Sequence, residues 1–280
     1  MSPGWRQRIG LSRYLHDRGH DVAEVARPNR RLRRSHGKTD TIDAYAAARR
    51  LLDESGVTAP KMRNGAIESV RALRVARNNA VKTATAALNA LRGLITTSPE
   101  TLRSQLRGLA RAQLLATCTA FRPDPARLAD PLQATKLALR SLAGRVNQAH
   151  EQADLLERHL HRLLEQVAPE TLNIFALRPD TAAALVISIG DNPRRLISEA
   201  AFARLCGVAP IPASSGKTVR HRLHRGGDRQ ANQALHPAVI VRLRYDGRTR
   251  DYVARRTTEG KTKPEIHPLP HWVSIDGAVR

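Results

Sequence analysis

Acidic residues, aromatics, cysteines and long apolar runs are all scarce in this 280-residue chain, and each shortage narrows what it can be. The two cysteines, Cys118 and Cys206, lie far apart with no further Cys or His at ligand spacing. No disulfide framework and no zinc ribbon is therefore encoded, and a reduced, cytoplasmic setting is expected. Aromatics make up only 3% of the residues, too few for the folds that read single strands by stacking bases on exposed rings. No apolar run approaches the roughly 20 residues of a membrane span, and Met1 is not followed by a charged-then-apolar leader, so no membrane association is expected.

The acid shortage has the widest consequence. Against 25 Asp and Glu stand 47 Lys and Arg, a formal net charge of +22 spread along the whole chain. Such an excess attracts polyanions through counterion release, and its even spread suits a folded basic surface better than a charged tail. Only seven of the 47 are Lys; Arg forks suit phosphates, although a coding bias towards Arg would look the same. The 41% of hydrophobic residues are rich in Ala and Leu, which predicts a core of packed helices.

Residues 1–37 read as short and irregular: a helical turn or two around Leu11–Leu15 ending at Gly19, then a short strand over Asp21–Val25 stopped by Pro28. Thr39 has the character of a helix N-cap, with Asp40 and Asp43 in the first turn of an Ala-rich helix to about Leu52. From Ile67 the period is helical through Ile95, and Pro99 ends the run. Leu139, Leu142, Val146, Ala149, Ala153, Leu156, Leu160, Leu163 and Val167 then alternate spacings of three and four. That heptad wants a partner helix, and the pattern leaves open whether it is the 67–95 helix or another copy of the chain. Downstream, helices are expected after Pro179, over Glu199–Leu205, and from an N-cap at Asp228 to about Arg244. The proline-rich end should be poorly ordered.

Three stretches could carry chemistry. Asp40 and Asp43, three residues apart on a helix, share one face and could hold a hard cation such as Mg²⁺; acidic residues that simply answer the helix dipole look the same. Ser214-Ser215-Gly216-Lys217-Thr218 resembles the end of a phosphate-binding P-loop, but the glycine required five residues before Gly216 is Ile211. The stretch is left as either a loop serine beside cations or a small-residue turn. Lys217, Arg220, Arg222, His224, Arg225 and Arg229 form the densest basic run, and Gly226-Gly227 before a helix could offer backbone N–H groups to a phosphate. His221 and His224 have no further soft ligand near them, which disfavours zinc. Ala176-Leu177-Arg178-Pro179 occupies the turn of a possible helix-hairpin-helix but contains no glycine.

Taken together, Gly190–Leu196, Glu199–Ala203, Cys206–Lys217, His221–Leu223, Arg225–Asn232 and Arg248–Val253 resemble the C-terminal domain of IS110-family transposases. Gly37–Ala44 is similar to the last acidic pair of that family's RuvC-like domain, so the likeness runs over roughly residues 11–263. It implies a mainly α chain: a remnant of an α/β RuvC-like (RNase H-like) domain at 1–60, a helical coiled-coil arm at 61–170, a helical C-terminal transposase domain at 171–263 and a disordered tail at 264–280. It implies a recombinase that cuts and rejoins DNA, directed by a guide RNA, with Ser215 (or less favourably Ser214) as nucleophile and Asp40 and Asp43 holding Mg²⁺. Lys38, Lys217, Arg220, Arg222, His224, Arg225 and Arg229 would contact nucleic acid, and residues 139–167 would join protomers into a homo-oligomer. Two further family carboxylates on upstream strands have no counterpart here, and the family's basic helix after Lys263 is replaced by a proline-broken tail. Both ends therefore read as cut, and the resemblance implies weak or absent autonomous recombination, since two carboxylates hold Mg²⁺ poorly. The alternative is a non-catalytic nucleic-acid-binding remnant that dimerises through its arm.

Overall fold

The computed structural model describes residues 4–25, 40–53, 57–58, 65–190, 198–212, 221–223, 226–260 and 266. The chain is mainly helical, as its Ala/Leu-rich composition predicts, and its contacts divide it into two units, residues 69–169 and residues 1–68 with 170–280. No described helix is long and apolar enough to cross a membrane.

The N-terminal segment begins with α1 (Gly4–Asp17), longer than the turn or two expected around Leu11–Leu15. It ends where predicted. Gly19 adopts φ +79°, its N–H donates to His16 O and the His20 N–H donates to Leu15 O, the paired bonds of a glycine-terminated helix. Of the expected strand only β1 (Glu24–Val25) forms. It pairs antiparallel with β2 (Val57–Thr58), in the register Glu24 opposite Thr58 and Val25 opposite Val57. Between them runs α2 (Asp40–Leu52), with the bounds the sequence predicts. Among the described residues of 1–60, this two-residue ribbon is the only sheet.

The unit 69–169 is built on two long helices, the 31-residue α3 (Ala66–Thr96) and the 37-residue α6 (Pro131–Val167), about 46 and 55 Å long at 1.5 Å per residue. Two short helices, α4 (Glu100–Leu106) and α5 (Arg111–Ala120), lie between them in sequence. Asp130 starts α6: its side chain accepts from the Leu132 N–H at 2.9 Å, and Pro131 at the first helical position has no N–H to leave unpaired.

Leu88 and Leu91 of α3, Leu102 and Leu106 of α4, Leu114, Leu115 and Cys118 of α5, and Leu139, Ala143 and Val146 of α6 close into one core. Near the other end, Arg77 of α3 donates to Glu157 of α6 at 2.9 Å in a half-buried ion pair. The early part of α3 thus meets the late part of α6 and the late part of α3 meets the early part of α6, which makes the pair antiparallel. The heptad's stripe is met from within the chain, by α3 and by α5. The buried positions run Leu139, Ala143, Val146, Ala149, Ala153, Leu160 and Leu164. Leu142, Leu156, Leu163 and Val167, expected in the seam, stand half-buried, and beside Leu142 and Leu163 the next residues, Ala143 and Leu164, are buried instead. A helix of 3.6 residues per turn drifts off a strict seven-residue repeat by about 20° per heptad, enough to replace those two by their next neighbours.

After α7 (Pro169–Leu172) the C-terminal part contains α8 (Pro179–Ile189), α9 (Glu199–Leu205), β3 (Pro210–Pro212), β4 (His221–Leu223), α10 (Arg229–Tyr245) and α11 (Gly247–Thr258). Helix α8 is apolar on all sides, with Ala182, Ala183, Ala184, Leu185 and Val186 buried, and it packs against α10 through Ala231, Ala234, Leu235 and Ala238. Small Ala side chains let the two backbones approach, and Leu185, fully buried, contributes about 1.5–3 kcal/mol by leaving water. The turn before α8 has the place of the expected helix-hairpin-helix turn. Ala176 there holds φ +74°, a left-handed conformation that suits glycine and costs an L-residue about 1–2 kcal/mol. Arg242 of α10 secures that turn. It is 4% exposed, donates to Phe175 O at 3.3 Å, lies over the Phe175 ring and pairs with Asp246 at 3.2 Å.

Candidate functional site

A hairpin and the clasp that closes it make up the site. Strand β3 pairs antiparallel with β4, with Pro210 opposite Leu223, Ile211 opposite Arg222 and Pro212 opposite His221. The segment 213–220 joins the two strands. Antiparallel partners lie roughly 5 Å apart, so the strands bring both ends of the serine-bearing segment to one place.

The hairpin's feet are tied to helix ends. On the entering side, α9 is capped at its N-terminus by Ser198, whose hydroxyl accepts from the Ala201 N–H at 3.2 Å. Past its C-terminus the chain turns through Gly207 at φ +68°, and the N–H groups of Val208 and Ala209 both donate to Ala203 O, at 2.9 and 3.1 Å. On the leaving side, the Asp228 N–H donates to Leu205 O at 2.6 Å, and the Asn232 side-chain amide donates to Cys206 O at 3.0 Å. The last carbonyls of α9, which have no partner within their own helix, are thus satisfied from the start of α10.

Gly227 makes this possible by having no side chain. A Cβ at that position would stand 2.2 Å from Gly207 N, 2.5 Å from Gly207 Cα and 2.7 Å from Leu205 O. All three are backbone atoms that have no rotamer to escape into. The Gly226-Gly227 pair, read from sequence as a phosphate cradle, therefore has a packing role at its second glycine. The N-terminus of α10 already has an anion: the Asp228 carboxylate accepts from the N–H groups of Gln230 and Ala231, at 2.7 and 3.3 Å, the predicted N-cap.

The clasp encloses Cys206. Its thiol is fully buried, and burial, with a smaller contribution from the Asp228 carboxylate, pushes its pKa up to about 12. A thiol held that firmly in its neutral form is a packing group and no nucleophile. Burial likewise pushes Cys118 in the 69–169 unit up to about 11.

The sequence-predicted residues fall as follows. Arg222 occupies the middle of β4, opposite Ile211, and Arg229 is the exposed first residue of α10. Asp40 and Asp43 both lie in the first turn of α2, three positions apart as expected. Lys38, Ser214, Ser215, Lys217, Arg220, His224 and Arg225 lie outside the described residues, as does the expected N-cap Thr39 and, apart from the buried Ile266, the stretch after Gly260. Among the described residues no three His, Cys, Asp or Glu side chains come together as a metal site. The exposed arginines Arg229, Arg244, Arg248, Arg250 and Arg255 extend the basic character of the hairpin segment along α10 and α11.

Residues 172–254 match the model of the transposase IS116/IS110/IS902 family. No curated protein matches the chain. The transposase match begins at the end of α7 and runs through α8, α9, the β3–β4 hairpin, α10 and most of α11, so it contains the whole clasp and the serine segment. It supports a transposase role for this chain and, with it, engagement of DNA.

Two features of the transposase region escaped the sequence reading. Asn232 carries no role in the sequence pattern, because its partner Cys206 O is reached only through the fold. Arg242 is buried, and its spacing of four from Asp246 on a helix is the sequence signal that points to it.

Proposed function

We propose that the chain is a DNA recombinase of the transposase type in which Ser215 is the nucleophile. The serine oxygen would attack a backbone phosphorus as its proton leaves to solvent or a base. The P–O bond to one strand would break, the released hydroxyl would take up a proton, and a phosphoserine link to DNA would remain until a second strand end reverses the step. The observation that carries this reading is the coincidence of the transposase match with the clasped hairpin, whose two strands are joined through Ser214-Ser215-Gly216, followed in sequence by Lys217, Arg220, Arg222, His224 and Arg225. Cations so placed would hold the phosphodiester and offset charge building on its oxygens. Arg229, and Lys38 on the N-terminal segment, would add to the DNA and guide-RNA contacts.

Asp40 and Asp43 fit a Mg²⁺ ion in donor type, being hard oxygen ligands three apart in one helical turn, but as two carboxylates alone they would hold it weakly, so recombination by the chain on its own would be weak or absent. Bound there, the ion would supply positive charge to a phosphate. Assembly of copies through residues 139–167 would use the outer side of α6, where Leu155 is exposed, because the heptad seam is filled from within the chain.

The test is a covalent-adduct assay on DNA bearing the element's end sequences, with its guide RNA and Mg²⁺. Ser215→Ala should abolish the protein–DNA adduct and leave DNA binding unchanged, whereas Ser214→Ala should keep it. An undiminished adduct from Ser215→Ala overturns the assignment. DNA binding without any adduct from the unsubstituted chain selects the non-catalytic binding protein instead.

A further inference from the structure

We infer that Asn232 is a positioning residue for the hairpin, an inference that rests on the nucleophile reading above. Three contacts hold the hairpin's feet together, and two of them are made by backbone: the Asp228 N–H on Leu205 O, and the bare approach of Gly227 to Gly207. The third is the Asn232 side-chain amide on Cys206 O. It is thus a side-chain bond by which α10 grips the entering strand, and it acts two residues upstream of Val208, where the chain leaves for β3.

The surroundings give this bond a say in position as well as in stability. Cys206 is fully buried, so loss of the amide leaves its carbonyl without that donor, but Asn232 is itself exposed and its replacement opens no cavity. Asparagine is also a poor helix former, about half a kcal/mol worse than Ala, and its place in the first turn of α10 is accounted for by the amide it contributes across the clasp. The neighbouring cap does not depend on it, because Asp228 holds the first N–H groups of α10 by its own carboxylate. Loss of the amide leaves both helices standing and frees the entering foot to slide against the leaving one. Displacements of about 1 Å at a reacting group cost up to about a hundredfold in rate.

The experiment compares the full-length chain with Asn232→Asp, which keeps the shape and removes the donor, and Asn232→Gln, which keeps a donor on a longer arm. Adduct formation, DNA affinity and backbone hydrogen exchange are measured for each, with Ser215→Ala alongside. Asn232→Asp should form adduct about ten- to a hundredfold more slowly, bind DNA within about twofold of the parent, and exchange faster only over 208–223. Asn232→Gln should recover part of the rate. Parent-like rate and exchange in Asn232→Asp overturn the inference, and so does faster exchange spread over α8 and α10, which would make the residue merely structural. Failure of the nucleophile reading shows separately, as adduct persisting in Ser215→Ala.

Discussion

The 69–169 unit and the hairpin region fix their geometry by different means. In the long-helix unit, position comes from repetition: Leu91, Leu102, Leu139, Leu160 and Leu164 are each fully or almost fully buried in a series of like contacts, and one ion pair, Arg77 with Glu157, marks the antiparallel register. In the hairpin region, position comes from single atoms: an absent Cβ at Gly227, one carboxylate at Asp228, one amide at Asn232. A repeated seam spreads the effect of any one change along its length. A clasp of unique contacts keeps the effect local.

Truncation in the seam should break the comparison most visibly. Leu139→Ala removes a fully buried side chain from the core it shares with α3, α4 and α5, and a loss of about 2–5 kcal/mol in urea unfolding is expected. Hydrogen exchange should quicken across α3 and α6 while β3 and β4 keep their protection; parallel loss in both regions would refute their independence. Gly227→Ala should cost about 1–3 kcal/mol because the added methyl meets backbone on three sides. Its exchange effects should stay within α9, α10 and the hairpin, and the unfolding of 69–169 should not move.

The turn before α8 offers a change in the opposite direction. Ala176→Gly should stabilise the C-terminal part by about 0.5–1 kcal/mol, since relief of the left-handed conformation outweighs the added freedom of the unfolded chain. Equal or lower stability would mean that the Arg242 bond to Phe175 O compensates the strain in full.

The smallest effect is one of pH. The Thr249 hydroxyl beside Asp246, at 2.5 Å, together with the Arg242 guanidinium, holds the Asp246 carboxyl below its ordinary value of 3.8. A carboxyl lowered by folding stabilises the fold while it is charged. Its contribution is complete above that value and fades as pH falls through the lowered one. Asp246→Asn should therefore be the less stable chain at neutral pH, and the gap in unfolding midpoint should close in acid; a gap that is independent of pH would remove the charge from the account.

Local signals in the sequence survived the passage to three dimensions. The Asp228 cap, the bounds of α2 and α9 and the stop at Gly19 each depend on a few neighbouring residues, and each stands where its residues predict. What depends on distant neighbours did not show. The heptad specified that α6 needs a partner and could not specify α3, because an a/d stripe is equally satisfied by a helix of the same chain or another. Gly226-Gly227 has the same spelling whether it cradles a phosphate or clears a path for backbone, and only the position of Gly207 in space separates the two. The sequence offered candidate chemistry in its serines, arginines and paired aspartates, but the frame around the hairpin was not legible, since Asn232 finds Cys206 across a long stretch of intervening chain.

Among the described residues, the feet of the hairpin meet where Gly227 passes close to Gly207. The entropy of closing a loop rises slowly, by about 0.6 kcal/mol for each doubling of its length, so the stretch between Pro212 and His221 is open to lengthening, shortening or wholesale exchange at little cost to the rest. A lineage, or an engineer, could therefore rewrite that stretch as a cassette while inheriting the scaffold unchanged.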